Sequence, residues 1–203
     1  MQIDLEHLHY WMQAIRQSPD PMRTMDAFWS GQLNSKEWLI DNLKKTYAWN
    51  DNKPATVSIH GGWVGVLASM IFQSGLPVKY IESIDLDPTC ESVATMMNKL
   101  EEQDGKFKAI TADMCTVPLR SNIVINTSCE HISQAQYDQW LANVPDDTLI
   151  VLQSNNYKIP EHIRTADTMS EFWDQSHIKV IHQGTLNLPL YNRWMIIGYK
   201  NGS

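Results

Sequence analysis

A short glycine-rich segment is the first feature of the sequence that could bind a ligand. It follows a run of β-branched residues and consists of His60, Gly61, Gly62, Trp63, Val64 and Gly65. Glycines in a strand-to-helix turn let the backbone pass close to a ligand and direct free N–H groups at it. Gly61 and Gly65 occupy the outer glycine places of a G-x-G-x-G loop, and the bulky Trp63 occupies the middle one. A plain tight turn could have the same composition, so both interpretations stay open at this point.

Two aspartates end the next two predicted strands. Asp85, which is followed by Leu86, comes 24 residues after Gly61, and a carboxylate at that distance can accept hydrogen bonds from both hydroxyls of a ribose. Asp113 could accept a hydrogen bond from the exocyclic amine of adenine, with Met114 covering the ring. Taken singly, these aspartates also fit a helix start and an ordinary loop. Their order after the glycine loop favours an adenosine-containing ligand.

Polar side chains also follow the two strands after these. The first group lies between a buried strand and a predicted helix, and consists of Asn126, Thr127, Glu130 and His131. At this place the group would face the reactive end of a ligand that extends across the sheet. One strand later, Asn155 and Tyr157 belong to a second polar and aromatic loop. We predict that both of these residues contact a substrate.

Hydrophobic periodicity predicts the elements that must position these residues. Short apolar runs predict strands at 57–60, 78–86, 107–111, 122–126, 148–153, 178–182 and 193–199. Helical patterns between them predict helices over 64–72, 88–103 and from 134 onward. This alternation favours an α/β fold with an open, doubly wound and mostly parallel sheet. In such a sheet ligands bind at the carboxyl ends of the strands, where the polar residues stand.

The hydrophobic pattern of the first 53 residues predicts helices and no strands. Apolar residues recur there at helical spacing, and Ser35 has the position of an N-cap for a later helix. We therefore divide the chain into a helical N-terminal cap or lid, residues 1–53, and a sheet domain, residues 54–203. Trp11 and Trp29 could close over the site and contact a substrate, although a tryptophan at helical spacing also fits core packing. A solvated helix face is expected for the basic residues Lys36, Lys44 and Lys45.

Composition limits the classes of protein and partner. The chain has 203 residues, 43% of them hydrophobic and 19% charged, which is enough apolar material for a core. Its net charge of −7 argues against a general nucleic-acid partner. No apolar run reaches the roughly 18 residues of a membrane span, and the first residues lack a signal-peptide pattern. The three cysteines are far apart in the sequence, as is typical of a soluble cytoplasmic protein. They do not have the spacing of zinc ligands, so we expect no metal.

The glycine loop, Asp85, Asp113 and the Glu130–His131 pair together resemble the motif series of class I S-adenosylmethionine-dependent methyltransferases. The resemblance covers roughly residues 55–200 and implies a seven-stranded sheet with S-adenosylmethionine lying over the first, second and fourth strands. By motif position the glycines would approach the methionine part, Asp85 would hold the ribose, and Asp113 with Met114 would hold adenine. The cofactor contacts that the resemblance implies are His60, Gly61, Gly62, Trp63, Gly65, Asp85, Leu86, Asp113, Met114 and Thr127. Many members carry an acidic residue near the end of the first strand, where this sequence has Ser58, Ile59 and His60.

The activity that the resemblance implies is transfer of a methyl group to an acceptor. Such a transfer is an in-line displacement, in which the protein mainly aligns the acceptor. An oxygen acceptor or a protonated amine also needs a base, and the candidate catalytic residues are Asn126, Glu130 and His131. The acceptor is unidentified, with a small molecule or a protein side chain favoured over nucleic acid.

Three alternatives stay open. A non-catalytic nucleoside-binding or scaffold protein could keep the same fold, with the altered glycine loop as a sign of lost chemistry. Aminocarboxypropyl transfer would use another carbon of the same sulfonium. An NAD-binding Rossmann domain fits less well, because Gly65 falls one place early for the G-x-G-x-x-G spacing that serves a pyrophosphate.

Overall fold

The computed structural model describes residues 4–200. One sheet contains the strands β1 (Ala55–His60), β2 (Val78–Asp85), β3 (Phe107–Thr111), β4 (Ile123–Asn126), β5 (Leu149–Asn155), β6 (Ile178–Asn187) and β7 (Asn192–Lys200). Their order across the sheet is β3-β2-β1-β4-β5-β7-β6. Strands β1 to β5 are parallel, whereas β7 is antiparallel to both of its neighbours. The predicted fold class is therefore confirmed, and β7 makes the sheet mixed.

Helices flank this sheet and precede it. They are α1 (Leu5–Gln17), α2 (Pro21–Asp26), α3 (Ser30–Thr46), α4 (Val66–Gln73), α5 (Pro88–Met97), α6 (Lys99–Gln103), α7 (Gln134–Asn143) and α8 (Met169–Ser176), with a 3₁₀ turn at Cys129–His131. Asp87 caps α5 by accepting from the Thr89 N–H, and Ser133 with Gln136 forms a capping box on α7. None of the helices between residues 4 and 200 combines the length and the apolar character that a bilayer crossing requires.

Two helix predictions were wrong in their boundaries. α3 begins at Ser30, and Ser35 lies inside it, where its hydroxyl donates to the Gln32 carbonyl at 2.9 Å. A serine can make this bond within a helix instead of capping one. The helix expected over 88–103 is interrupted at Asn98, which leaves the helical conformation and donates through Nδ2 to the Gly65 carbonyl at 3.0 Å. A tertiary contact of this kind has no local sequence signal.

Two buried apolar clusters lie on opposite faces of the sheet. Ile123 and Ile125 of β4 belong to one cluster and Val124 between them to the other, as expected for alternating side chains. Trp11 and Leu39 of the N-terminal helices belong to the first cluster. The N-terminal segment therefore shares a hydrophobic core with the sheet that it covers.

Candidate active site

The loops after the five parallel strands β1 to β5 leave the sheet at the same end, that of the strands' carboxyl termini. His60 lies opposite both Ile84 and Asn126, and Asn126 lies opposite Leu152. The carboxyl ends of β1, β2 and β4 are thus nearly level, and β5 continues three residues further, to Asn155. The segments at this end of the sheet are 60–65, 85–86, 113–114, 126–131 and 155–157.

The glycine loop is packed tightly against the rest of the chain. Gly61 and Gly65 have φ angles of +66° and +78°, in the left-handed region that favours glycine. A Cβ on Gly61 would lie 2.8 Å from Ser128 Oγ, and one on Gly65 would lie 2.6 Å from Asn98 Nδ2. The protein's own neighbouring loops therefore require glycine at these positions, independently of any ligand.

Gly62 gives a direct test of this packing. A Cβ there would lie 2.0 Å from Ser83 Oγ, so we expect Gly62→Ala to lower the free energy of unfolding by about 1–3 kcal/mol, as overpacking generally does. Adding Ser83→Ala removes the clashing oxygen and should recover most of the loss. Urea unfolding of the single and double variants measures both effects. Gly31→Ala, where the nearest atom would be 3.4 Å away, is the matched control, and equal losses at Gly31 and Gly62 would contradict the prediction.

The backbone of the glycine loop holds the Asp85 carboxylate. The Trp63 N–H donates to Asp85 Oδ2 at 2.8 Å, and the Asp87 N–H donates to Oδ1 at 3.0 Å. Each oxygen keeps a second lone pair, so the half-buried carboxylate can still accept from two hydroxyl donors. The Trp63 indole packs against the apolar cluster that contains β1. Leu86, next along the chain, is 73% exposed.

The next two strand ends contribute an exposed carboxylate and a buried amide. Asp113 lies two residues beyond β3 and accepts through Oδ1 from the Cys115 N–H at 2.9 Å. Met114 is half-buried, with its sulfur 3.8 Å from Asn126 Nδ2. Asn126 is fully buried and accepts through Oδ1 from the Ser128 N–H at 2.9 Å. Both ends of the Asn126 amide are thus directed at the protein itself, so its contacts are those of a residue that shapes the loop after β4.

Glu130 forms the centre of a buried polar network. Its Oε1 accepts from Asn155 Nδ2 at 2.5 Å and from Arg193 Nη1 at 3.0 Å. The Arg193 guanidinium also donates to the Thr127 carbonyl and, at 3.3 Å, to Gln153 Oε1. Gln153 in turn donates through Nε2 to the Ser35 carbonyl of α3 at 3.1 Å. One network therefore joins β5, β7, the loop after β4 and the N-terminal helices.

Sequence reasoning missed Arg193 and Gln153, and it placed Lys36 wrongly. In the sequence, Arg193 and Gln153 are ordinary positions in apolar strands. The local signal for Arg193 is its charge at the start of a buried run, and Gln153 has none. Lys36 was expected on a solvated face, which was wrong, because only 9% of it is exposed. Its Nζ donates to Gln32 Oε1 at 2.8 Å. Burial, together with the nearby Arg193 charge, lowers the pKa of Lys36 to about 7.

The His60 side chain, at the end of β1, is directed into the protein. Its ring is fully buried, and Nδ1 accepts from Trp140 Nε1 at 2.6 Å. Since Nδ1 is the acceptor, the proton of the neutral ring is on Nε2. Burial lowers the pKa of His60 to about 4, so the imidazole is neutral near pH 7.

The buried imidazole should make stability depend on pH. The unfolded chain takes up a proton near pH 6.5 and the folded chain only near pH 4, so this contribution is full above pH 6.5 and is lost as the pH falls to about 4. The wild type should lose about 3 kcal/mol more than His60→Gln between pH 7 and pH 4, at 1.36 kcal/mol for each pH unit. Urea unfolding at both pH values measures the difference. His9→Gln, at an exposed position, should behave as the wild type, and an unchanged pH dependence in His60→Gln would refute the assignment.

Of the residues predicted to contact a substrate, some are exposed in the structure and others are buried. Tyr157 is exposed after β5, with its ring 5.5 Å from that of Tyr191. Asn155 is buried, its Nδ2 donates to Glu130 and its Oδ1 accepts from the Tyr157 N–H at 2.8 Å, so its contacts are those of a residue that positions the loop. Trp29 is 66% exposed at the start of α3. Trp11 is buried in the core, where Nε1 donates to Ser69 Oγ of α4 at 3.0 Å. The contacts of Trp11 are those of a packing residue.

Known structures share this architecture. Mitomycin 7-O-methyltransferase MmcR has a TM-score of 0.65 at 14% identity, over 93% of this chain and 60% of that chain. Magnesium protoporphyrin IX methyltransferase ChlM from Synechocystis PCC 6803, with bound SAH, has a TM-score of 0.65 at 12% identity, over 97% of this chain and 95% of ChlM. A mutant of MtNAS in complex with S-adenosylmethionine has a TM-score of 0.62 at 10% identity, over 96% of this chain and 72% of that one.

The fold follows from these likenesses and from the strand order. This chain spans about three-fifths of the length of MmcR and of the pyocyanin biosynthetic protein PhzM. No protein-family model matches its sequence, and a search of curated proteins finds no match. The chain has the class I methyltransferase fold.

Proposed function

We propose that the protein is an S-adenosylmethionine-dependent methyltransferase that acts on a small molecule or a protein side chain. The observation that carries the proposal is the Asp85 carboxylate, which the Trp63 and Asp87 amides fix beside the glycine loop with accepting capacity left on both oxygens. A pair of vicinal ribose hydroxyls matches that capacity. The SAH and S-adenosylmethionine bound by ChlM and MtNAS support the same ligand here.

The remaining cofactor contacts follow the strand ends. Asp113 and Met114, beyond β3, receive the adenine, and Leu86 supplies an exposed apolar side chain next to Asp85. The methionine part lies at the glycine loop, where Gly61 adjoins Ser128. Since the sulfonium supplies its own leaving group, the protein has to hold the methyl carbon in line with the acceptor atom.

The acceptor lies beyond β4 and β5 in this proposal. Tyr157 borders that space, whereas Asn155 is buried and bonded to Glu130 and to the Tyr157 N–H. His131 is an exposed side chain there that can take a proton. His131 Nδ1 is 3.1 Å from the Glu161 carbonyl, an acceptor only, so Nδ1 carries the hydrogen and Nε2 the lone pair. Glu130 and Asn126, the other two candidates, are buried and bonded to protein groups, so they position the loop on which His131 stands.

Calorimetric titration of the purified chain tests the proposal. S-adenosylmethionine and S-adenosylhomocysteine should each bind one-to-one, whereas NAD should not bind. Incubation with labelled S-adenosylmethionine and fractionated extract should then transfer label to a heat-stable small molecule or to protein. Binding without transfer to any fraction would favour the nucleoside-binding scaffold, and absence of binding would refute the proposal.

A further inference from the structure

Two histidines and a glutamate converge at the acceptor side of the sheet. Glu130 and His131 belong to the turn after β4, and His162 to the loop after β5. One potential ligand atom from each of the three lies within 4.8 Å of the other two. The two imidazole rings are 4.7 Å apart between centroids, at an angle of 85°. Donor atoms of this type and spacing are those of a metal site.

Both imidazoles are oriented by backbone carbonyls. His131 Nδ1 lies 3.1 Å from the Glu161 carbonyl, and His162 Nδ1 lies 2.6 Å from the Tyr157 carbonyl. A carbonyl oxygen can only accept, so both rings carry their hydrogen on Nδ1 and a lone pair on Nε2. This outer hydrogen bond is the one that fixes the tautomer of most metal-binding histidines.

The carboxylate supplies an independent observation. Glu130 is 3% exposed, and its Oε1 already accepts from Asn155 and Arg193. Its Oε2 is also buried but accepts no hydrogen bond from any residue that the structure describes. A buried carboxylate oxygen is costly to leave unpaired, so a partner outside the protein is indicated at this atom.

We propose that Glu130, His131 and His162 bind one divalent transition-metal ion, and Zn²⁺ is the ion that we expect. Bonds of about 2.0–2.2 Å place ligand atoms at most about 4.4 Å apart, close to the 4.8 Å within which the three ligand atoms lie here. Arg193 already compensates the charge of Glu130, which leaves little charge for Mg²⁺ or Ca²⁺. The two imidazoles favour zinc and its neighbours in the first transition row.

The site adjoins Tyr157, which is proposed to border the acceptor. Asn155 holds Glu130, and the Tyr157 carbonyl holds His162. Three protein ligands leave at least one coordination position open, as in catalytic zinc sites. An ion there would also occupy His131 Nε2 and so replace the proton-accepting role proposed above for that atom. No sequence motif marks the site, because His131 and His162 belong to two loops and lie 31 positions apart in the chain.

Zn²⁺ titration of the metal-free full chain, without nucleoside, tests the inference. We expect one Zn²⁺ per chain, with Mg²⁺ bound at least about 100-fold more weakly. His131→Ala and His162→Ala should each weaken Zn²⁺ binding by more than the roughly 10–100-fold that loss of an outer-shell partner costs. Glu130→Gln should do the same, and if this buried variant fails to fold, the two histidine variants decide.

The controls are an exposed histidine and an exposed glutamate elsewhere in the chain. His9→Ala and Glu37→Gln should bind Zn²⁺ as the wild type does. The inference is overturned if the wild type shows no saturable one-to-one binding, or if binding survives in His162→Ala. Because the titration contains no S-adenosylmethionine, a chain that binds Zn²⁺ but not the nucleoside would refute the proposed function and leave this inference standing.

Discussion

Replacement of Asp85 by asparagine is expected to weaken S-adenosylmethionine binding about 100-fold. Hydrogen bonds to a charged group contribute about 1.5–3 kcal/mol each, and 1.4 kcal/mol is a tenfold change in affinity. The amide keeps one accepting oxygen, so one of the two ribose hydroxyls loses its partner and the other loses the charge. The amide nitrogen that replaces the other oxygen cannot accept a hydrogen bond, so either the Trp63 N–H or the Asp87 N–H also loses its acceptor. Calorimetric titration with S-adenosylhomocysteine, which cannot react, measures the change directly.

Asp87→Asn is the matched control for this experiment. Asp87 is two residues away, carries the same charge and caps α5 by accepting from the Thr89 N–H at 2.9 Å. If Asp85 served only as a second helix-start residue, both substitutions would change nucleoside affinity to the same small extent. We expect Asp87→Asn to lower stability with little effect on affinity. Equal affinities for the two variants would remove the main support for the proposed function.

Removing Arg193 should have the largest effect on stability. Arg193→Met leaves the 3%-exposed Glu130 carboxylate without its charge partner, and breaking a buried ion pair from one side costs about 3–5 kcal/mol. It also removes the donors to the Thr127 and Gln153 oxygens. Urea unfolding followed by tryptophan fluorescence measures the loss of free energy.

The double variant Arg193→Met/Glu130→Gln separates charge from packing. Glutamine can keep accepting from Asn155 while carrying no charge, so the double variant should be more stable than Arg193→Met alone, a coupling that a double-mutant cycle quantifies. Lys158→Met, which breaks the exposed Lys158–Asp167 pair, should leave stability unchanged within error. A double variant no more stable than the single one would show that the buried charge is not what matters.

The strand ends could be predicted from the sequence because their signals are local. A buried apolar run followed by Asp85 and a Pro-initiated helix identifies both the strand and its carboxyl end. Parallel pairing then places successive strand ends at one edge without any knowledge of side-chain contacts. The same reasoning located the glycine loop and the polar segment after β4.

The network around Glu130 could not be predicted, because it depends on residues far apart in the chain. Arg193 reaches Glu130 across 63 positions, and Gln153 reaches Ser35 across 118. Periodicity placed Lys36 on a helix but could not tell which face the sheet would cover. Likewise, helical spacing suits Trp11 both to a core and to a lid, and its burial together with its bond to Ser69 in α4 identifies it as a core residue.

The link between Gln153 and Ser35 bears on how a substrate could enter. α3 is joined to β5 by this buried bond, and Trp38 packs so closely that a Cβ on Gly184 of β6 would lie 2.9 Å from its ring. Swinging the N-terminal helices outward would break the bond and uncover the indole. We therefore expect α3 to exchange its amide hydrogens as slowly as β5 does, and a large acceptor to enter without outward movement of the N-terminal helices.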